Sequence, residues 1–298
     1  MKKLILSLIL VLLVAGCSNL PFDFPFLSTG ETQVKELPPD VLSIQNITVL
    51  PSTSVRESDQ FSVFFDLMNQ DELNETVFTY NIYDTGLCYW TGGDPTSGSD
   101  SLFPQEIRQV EWNFNAPSSE QIANLRVTCP IRFKFDFNYT AKSQIDVIVI
   151  NSNRLRELQK AGKSTTFSPT LNVGRGPIKI YFDFGTTLPV RDNSNLTVYV
   201  RIEDKGTGLL KQIEKDKFVI TFPSDFIVPD DACPYFTCTN GVCTNSQQSI
   251  PIISKKSLDI RCSGITTKPI ADEKTYFISA TLNYGYYVAG QVDVEVKP

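Results

Sequence analysis

The stretch IRFKFDFNYTAKSQIDVIVI, residues 131–150, sets the character of the chain. Ile131, Phe133, Phe135 and Phe137 alternate with Arg132, Lys134, Asp136 and Asn138, the period of two that marks a strand with one buried face. A second stretch, TYFISATLNYGYYVAGQVDVEV at 275–296, ends in the same way. Each carries Asn-Tyr (Asn138-Tyr139, Asn283-Tyr284), and each then reaches Gln-(Ile/Val)-Asp-Val at Gln144 or Gln291. The alignment is read as two strands joined by a short turn, a hairpin closing each of two repeated units, with Cys129 and Cys262 as corresponding cysteines.

Outward from these stretches the pattern stays strand-like. QFSVFFDLM, TVFTYNIY, RQVEWNF, PIKIYFDFG, NLTVYVRIE and KFVITF are short runs rich in Val, Ile, Thr, Phe and Tyr, bounded by turn formers. One helix is expected, NRLRELQKAG, with Leu155 and Leu158 on one face and Gly162 as its stop. Repeated strands without a βαβ rhythm predict an all-β fold of two tandem Ig-like antiparallel sandwiches. The expected units are a sandwich at 41–150, a linker with the short helix at 151–176, and a second sandwich at 177–298. The outline is similar to the broad class of tandem Ig-like surface proteins, archaeal ones included, although the Trp-and-disulfide signature of true Ig domains is missing.

The chain begins MKKLILSLILVLLVAGCSN. Lys2 and Lys3 precede an apolar run, Leu4 to Val14, of signal-peptide length and too short to span a bilayer. Val14-Ala15-Gly16-Cys17 resembles the lipobox of prokaryotic lipoproteins. That resemblance covers the first 17 residues and implies a signal peptide at 1–16 and a diacylglycerol on the Cys17 thiol. It also implies a location on the outer face of the cell membrane or envelope, since two acyl chains anchor durably. Residues 17–40, rich in Pro and polar groups, read as a tether carrying Phe22, Phe24 and Phe26.

Six cysteines remain, an even number that in an exported chain predicts disulfides. The repeat pairs Cys88 with Cys129 and leaves Cys233 for Cys262. Cys238 and Cys243 then flank Asn240-Gly241, the preferred centre of a two-residue hairpin. Four cysteines allow three pairings, so the alternatives in the second unit stay open, as does zinc held by Cys233, Cys238, Cys243 and Cys262. Their spacing lacks the close CxxC knuckles of structural zinc sites, and no metal is expected.

Function is bounded mainly by exclusion. The 298 residues include no histidine, which removes Ser-His and Cys-His catalytic pairs. A net charge of -6 opposes a nucleic-acid footprint. Ala161-Gly162-Lys163-Ser164 mimics the tail of a phosphate loop, but Glu157 stands where that motif needs glycine. Asn46, Asn74 and Asn195 are glycosylation acceptors by pattern, and Asn138 is another inside a predicted strand. The acidic pairs Asp71-Glu72, Glu203-Asp204 and Asp230-Asp231 read as solvated turns. Trp90 and the cluster Tyr284, Tyr286, Tyr287 read as sandwich core, with an aromatic binding face as the sharper alternative. Contacts are expected at Thr91–Gln105, read as a long loop, and at the cysteine-rich 223–249 insertion.

The expectation is a non-catalytic lipid-anchored surface protein, for adhesion, spacing or envelope assembly, without cofactor and with a protein or glycan partner. The alternatives are a solute-binding lipoprotein of a transporter and a histidine-free carbohydrate-active enzyme.

Overall fold

The computed structural model describes residues 32–210, 212–251 and 257–298. The first half carries β1 (Gln33–Glu36), β2 (Leu42–Leu50), β3 (Ser54–Arg56), β4 (Gln60–Asn69) and β5 (Thr76–Asp84). It continues through β6 (Tyr89–Gly93), β7 (Ser97–Leu102), β8 (Ile107–Asn115), the short α1 (Ser119–Ile122) and β9 (Val127–Ile150). Helix α2 (Ser152–Lys160) leads into β10 (Thr170–Val173), β11 (Ile178–Phe184), β12 (Val190–Arg191) and β13 (Asn195–Asp204). Short strands follow: β14 (Leu209–Leu210), β15 (Gln212–Ile213), β16 (Phe218–Thr221), β17 (Phe226–Ile227), β18 (Thr237–Thr239), β19 (Val242–Thr244) and β20 (Ile250–Pro251). The chain closes with β21 (Leu258–Thr267) and β22 (Glu273–Lys297).

The all-β sandwich expectation holds, but the joint between the halves differs from the one expected. Neither repeated stretch folds into a hairpin. Each is one unbroken strand, β9 of 24 residues and β22 of 25, and the two pair antiparallel from Glu273↔Ile150 to Val296↔Val127. The reason lies in the phase of the side chains. Phe137, Ala141, Ser143 and Ile145 are buried along β9, so the inward face passes through Thr140–Ser143 without a break. No Gly, Pro or Asn-Gly interrupts that segment, and a continuous alternation is what one long pleated strand requires.

This pair is the spine of a 12-stranded sheet that runs through both halves. Its first half, with β5, β7 and β3 beside the spine, is covered by the sheet β2-β4-β8-β6. From the cover, Phe65 stacks on Phe133 of β9 at 4.6 Å and Trp112 meets the same ring edge-on at 4.9 Å. Its second half, with β1, β10, β16, β19 and β18, is covered by β11-β13-β21-β17. There Phe226 meets Tyr276 edge-on at 5.2 Å. One apolar cluster, from Val41 to Val296, fills the space under both covers. Helix α2 forms as its pattern predicts: Asn151 caps it, accepting from the Asn153 N–H at 2.8 Å, and Leu155 and Leu158 close over Ile150. Gly162 then takes φ +64°, the left-handed turn that ends a helix. Among the described residues no helix is long and apolar enough to cross a membrane.

The last part of the expected tether is structured. β1 lies parallel to β10 at the sheet edge, with its four side chains exposed.

Candidate functional site

The waist between the halves gathers a cluster of buried and half-buried polar side chains. Tyr139 and Tyr284 are direct partners in the β9–β22 register, and both point inward. Three loops close on them. The β4–β5 loop brings Asp71, which accepts the Tyr139 hydroxyl at 2.6 Å and the Leu73 N–H at 2.9 Å. The end of β13 brings Asp204, whose carboxylate accepts the Tyr286 hydroxyl at 2.9 Å. The β10–β11 turn brings Gly176 at φ +117°, where a Cβ would stand 2.6 Å from the Tyr139 ring. Arg175 of that turn reaches back, donating to the Gln70 carbonyl at 3.0 Å and pairing with Glu72 at 3.2 Å.

Lys179 on β11 completes the waist from inside. Its side chain is fully buried, and its ammonium donates to the carbonyls of Leu37, Pro38 and Gly174. It thereby fixes the link between β1 and β2. Burial pushes this ammonium down to about 8, with Glu36 at 3.9 Å acting in the opposite direction. Burial also raises the Tyr139, Tyr284 and Tyr286 hydroxyls, helped at Tyr139 by the hydrogen bond to Asp71. Burial raises the Asp71 carboxyl as well, but the hydrogen bonds from Tyr139, Leu73 and Asn74 together hold it below its ordinary value.

On the outer face of the sheet the waist carries a groove of about 630 Å³ that runs into a second of about 430 Å³. Its floor is the outward side of the spine: Asp136 and Asn138 from β9, Gly285 and Tyr287 from β22. One wall is β5 and the residue before it, with Glu75, Val77 and Thr79; the other is β15 and the turn after it, with Gln212 and Glu214. Gly285 leaves the middle of the floor low, because no side chain rises there opposite Asn138.

The sequence-derived candidates fall as follows. Cys17, its lipobox and the Phe22–Phe26 run lie outside the described residues. The structure joins Cys88 to Cys129, Cys233 to Cys262 and Cys238 to Cys243, the pairs that the repeat and the Asn-Gly turn suggest. The correspondence behind the first two is only partial, since Cys129 sits in the spine whereas Cys262 sits in β21 of the covering sheet. Asn240 and Gly241 both take positive φ in the β18–β19 hairpin, as a two-residue turn of that type demands. The Sγ atoms of Cys233, Cys238 and Cys243 lie within 4.8 Å of one another, and each is bonded in a disulfide, so none offers a thiolate. Asn46, Asn74 and Asn195 are exposed, but the hydroxyl of Thr76 in the second acceptor pattern is buried, donating to Asn69 at 3.1 Å.

Three readings are corrected. Asp71, read as a solvated turn charge, is 1% exposed and serves the waist. Thr91–Gln105, read as a long loop, contains the end of β6 and all of β7, which pairs along β5. Trp90 is 44% exposed at the β6 edge, not core, whereas Tyr284 and Tyr286 are buried as expected. Asp230 and Asp231 are exposed, in keeping with solvated turn charges. The groove itself was missed: its residues come from four separated segments, and no local signal joins them.

No protein-family model matches the chain, and no curated protein matches it. Among solved structures, one similarity is to an Escherichia coli alpha-2-macroglobulin activated by porcine elastase, at 7% identity and a TM-score of 0.17. It covers 84% of this chain and 22% of that one, so the chain spans about a fifth of the macroglobulin's length. Another is to a chaperone-tip adhesin complex of CFA/I fimbriae biogenesis, at 9% identity and a TM-score of 0.11, covering 87% and 85% of the two chains. Both likenesses are too weak to carry an argument about function.

Proposed function

We propose that the protein is a non-catalytic module of the cell surface or envelope, held by a lipid on Cys17 and acting in adhesion, spacing or assembly. The observation that carries this reading is the spine. At ~3.3 Å per residue a strand of this length spans ~80 Å, and β9 and β22 are paired over nearly all of it. The first described strand and the C-terminal residues support the same reading. Val34 pairs with Leu171 and, through it, is level with Ile145, near the Ile150 end of β9. The C-terminal residues lie beside Arg56 and Val127, at the other end. A lipid ahead of β1 would therefore hold one half near the membrane and hold the other away from it. Three disulfides suit such a role outside the cell.

The test is Cys17→Ser, followed by separation of membranes from soluble protein. Release of the variant is the expected result. Retention on the membrane to the level of the natural chain would overturn the anchor, leaving the apolar run before it as the attachment.

A further inference from the structure

We propose that the waist groove binds an oligosaccharide of neutral or amino sugars. The floor limits what can bind. Asn138, Gly285 and their neighbours lie in the middle of the sheet, where their main-chain groups are already in the β9–β22 ladder. A peptide that binds by adding a strand needs a free edge, and the floor has none. The furnishings then select the ligand. Among the described residues, the side chains of Asn138, Gln212, Glu75 and Glu214 make no hydrogen bond or ion pair with the protein. Amides offer donors and acceptors side by side, and carboxylates offer acceptors alone, a combination that matches vicinal hydroxyls. Tyr287 adds a half-buried ring at the floor, with the Lys134 ammonium 5.9 Å from its centroid, and the rest of the ring is a flat surface for the C–H face of a sugar.

Charge narrows the class. Glu75, Asp136 and Glu214 line the groove, Asp136 pairs with Lys134 at 2.8 Å, and Lys217 lines the far end. Acidic sugars and phosphate-bearing chains are disfavoured by that balance, whereas neutral and amino sugars are not. The walls are strands or are tied to strands, so the groove exists without a ligand to order it.

Gly285 supplies the test. Its φ is not in the left-handed region, and a Cβ built there meets nothing closer than Asn138 Oδ1 at 3.5 Å. Gly285→Trp therefore fills the groove while leaving the sheet intact. The full chain, solubilised in detergent, is applied to a panel of immobilised neutral, amino and acidic oligosaccharides, and the strongest hits are titrated by calorimetry. Binding of neutral or amino oligosaccharides is expected, weakened at least tenfold by Gly285→Trp and by Asn138→Ala, with melting temperatures unchanged. No binding across the panel overturns the proposal. So does binding that survives Gly285→Trp, or a preference for the acidic members. Because the measurement is made off the membrane, it stands or falls independently of the lipid anchor.

Discussion

Lys179 shows how much of the waist depends on single groups. Its buried ammonium fixes the chain between β1 and β2 through three carbonyls, and burial lowers it from 10.5 to about 8. From about pH 8 to 10.5 the unfolded chain therefore holds a proton on this lysine that the folded chain has lost. Stability rises with pH wherever the unfolded state binds more protons. The waist tyrosines act in the opposite sense. Their hydroxyls are raised above 10.0, so above that pH the unfolded chain ionises them while the folded chain keeps them neutral, and stability falls. Urea unfolding across the alkaline range should thus show stability climbing above pH 8 and turning down beyond 10. Lys179→Met should abolish the climb and keep the downturn; a climb that persists in this variant would remove Lys179 as its source. None of this was legible in the sequence. Asp71 and Tyr139 are 68 residues apart, and a turn-like Asp-Glu pair gives no sign of the hydroxyl it will accept.

At the level of elements, the pattern of the spine was legible and its continuity was not. Alternation told which residues of β9 and β22 face the core, because a period of two is a property of one strand alone. Whether two adjacent runs bend into a hairpin or continue straight depends on what lies across the sheet. The partner of Thr140 is Asn283, a residue no local window contains. The reading of Ser97–Leu102 as loop failed for a related reason: β7 is a mostly exposed edge strand of Ser, Gly and Asp, so burial imposes little alternation on it. The cysteines were the easier case, since the Asn-Gly turn places Cys238 directly opposite Cys243. Their energetic order should follow the chain they enclose. The sequence separations are 41, 29 and 5 residues. Chain entropy alone then gives ~4, ~3.6 and ~2 kcal/mol. Replacing each pair by alanine and measuring urea midpoints should rank Cys88–Cys129 as most costly and Cys238–Cys243 as least. A larger loss at Cys238–Cys243 would mean that packing of the hairpin, not loop closure, dominates.

For the whole molecule, the shared sheet makes the length a firm expectation. A compact chain of 298 residues would have a radius of gyration of ~19 Å. Drawn out at the full rise per residue, the spine instead gives a maximum dimension of ~80 Å. Small-angle X-ray scattering of the protein should find that dimension, with little change between ligand-free and oligosaccharide-mixed samples. A distribution collapsed toward ~50 Å would mean that the waist bends, contrary to the unbroken ladder. The groove belongs to this scale too. It exists because two segments near residues 75–79 and 212–214 stand beside the same point of the spine.

The crossing of β9 and β22 carries one more consequence. Each half of the molecule contains the beginning of one long strand and the end of the other, so the first 160 residues cannot complete either sandwich without the remainder. A protease nick between α2 and β10 would therefore sever the backbone and still leave two fragments interlocked along the full ladder. Produced separately, the fragments should be an obligate complementation pair, each unfolded until it meets the other.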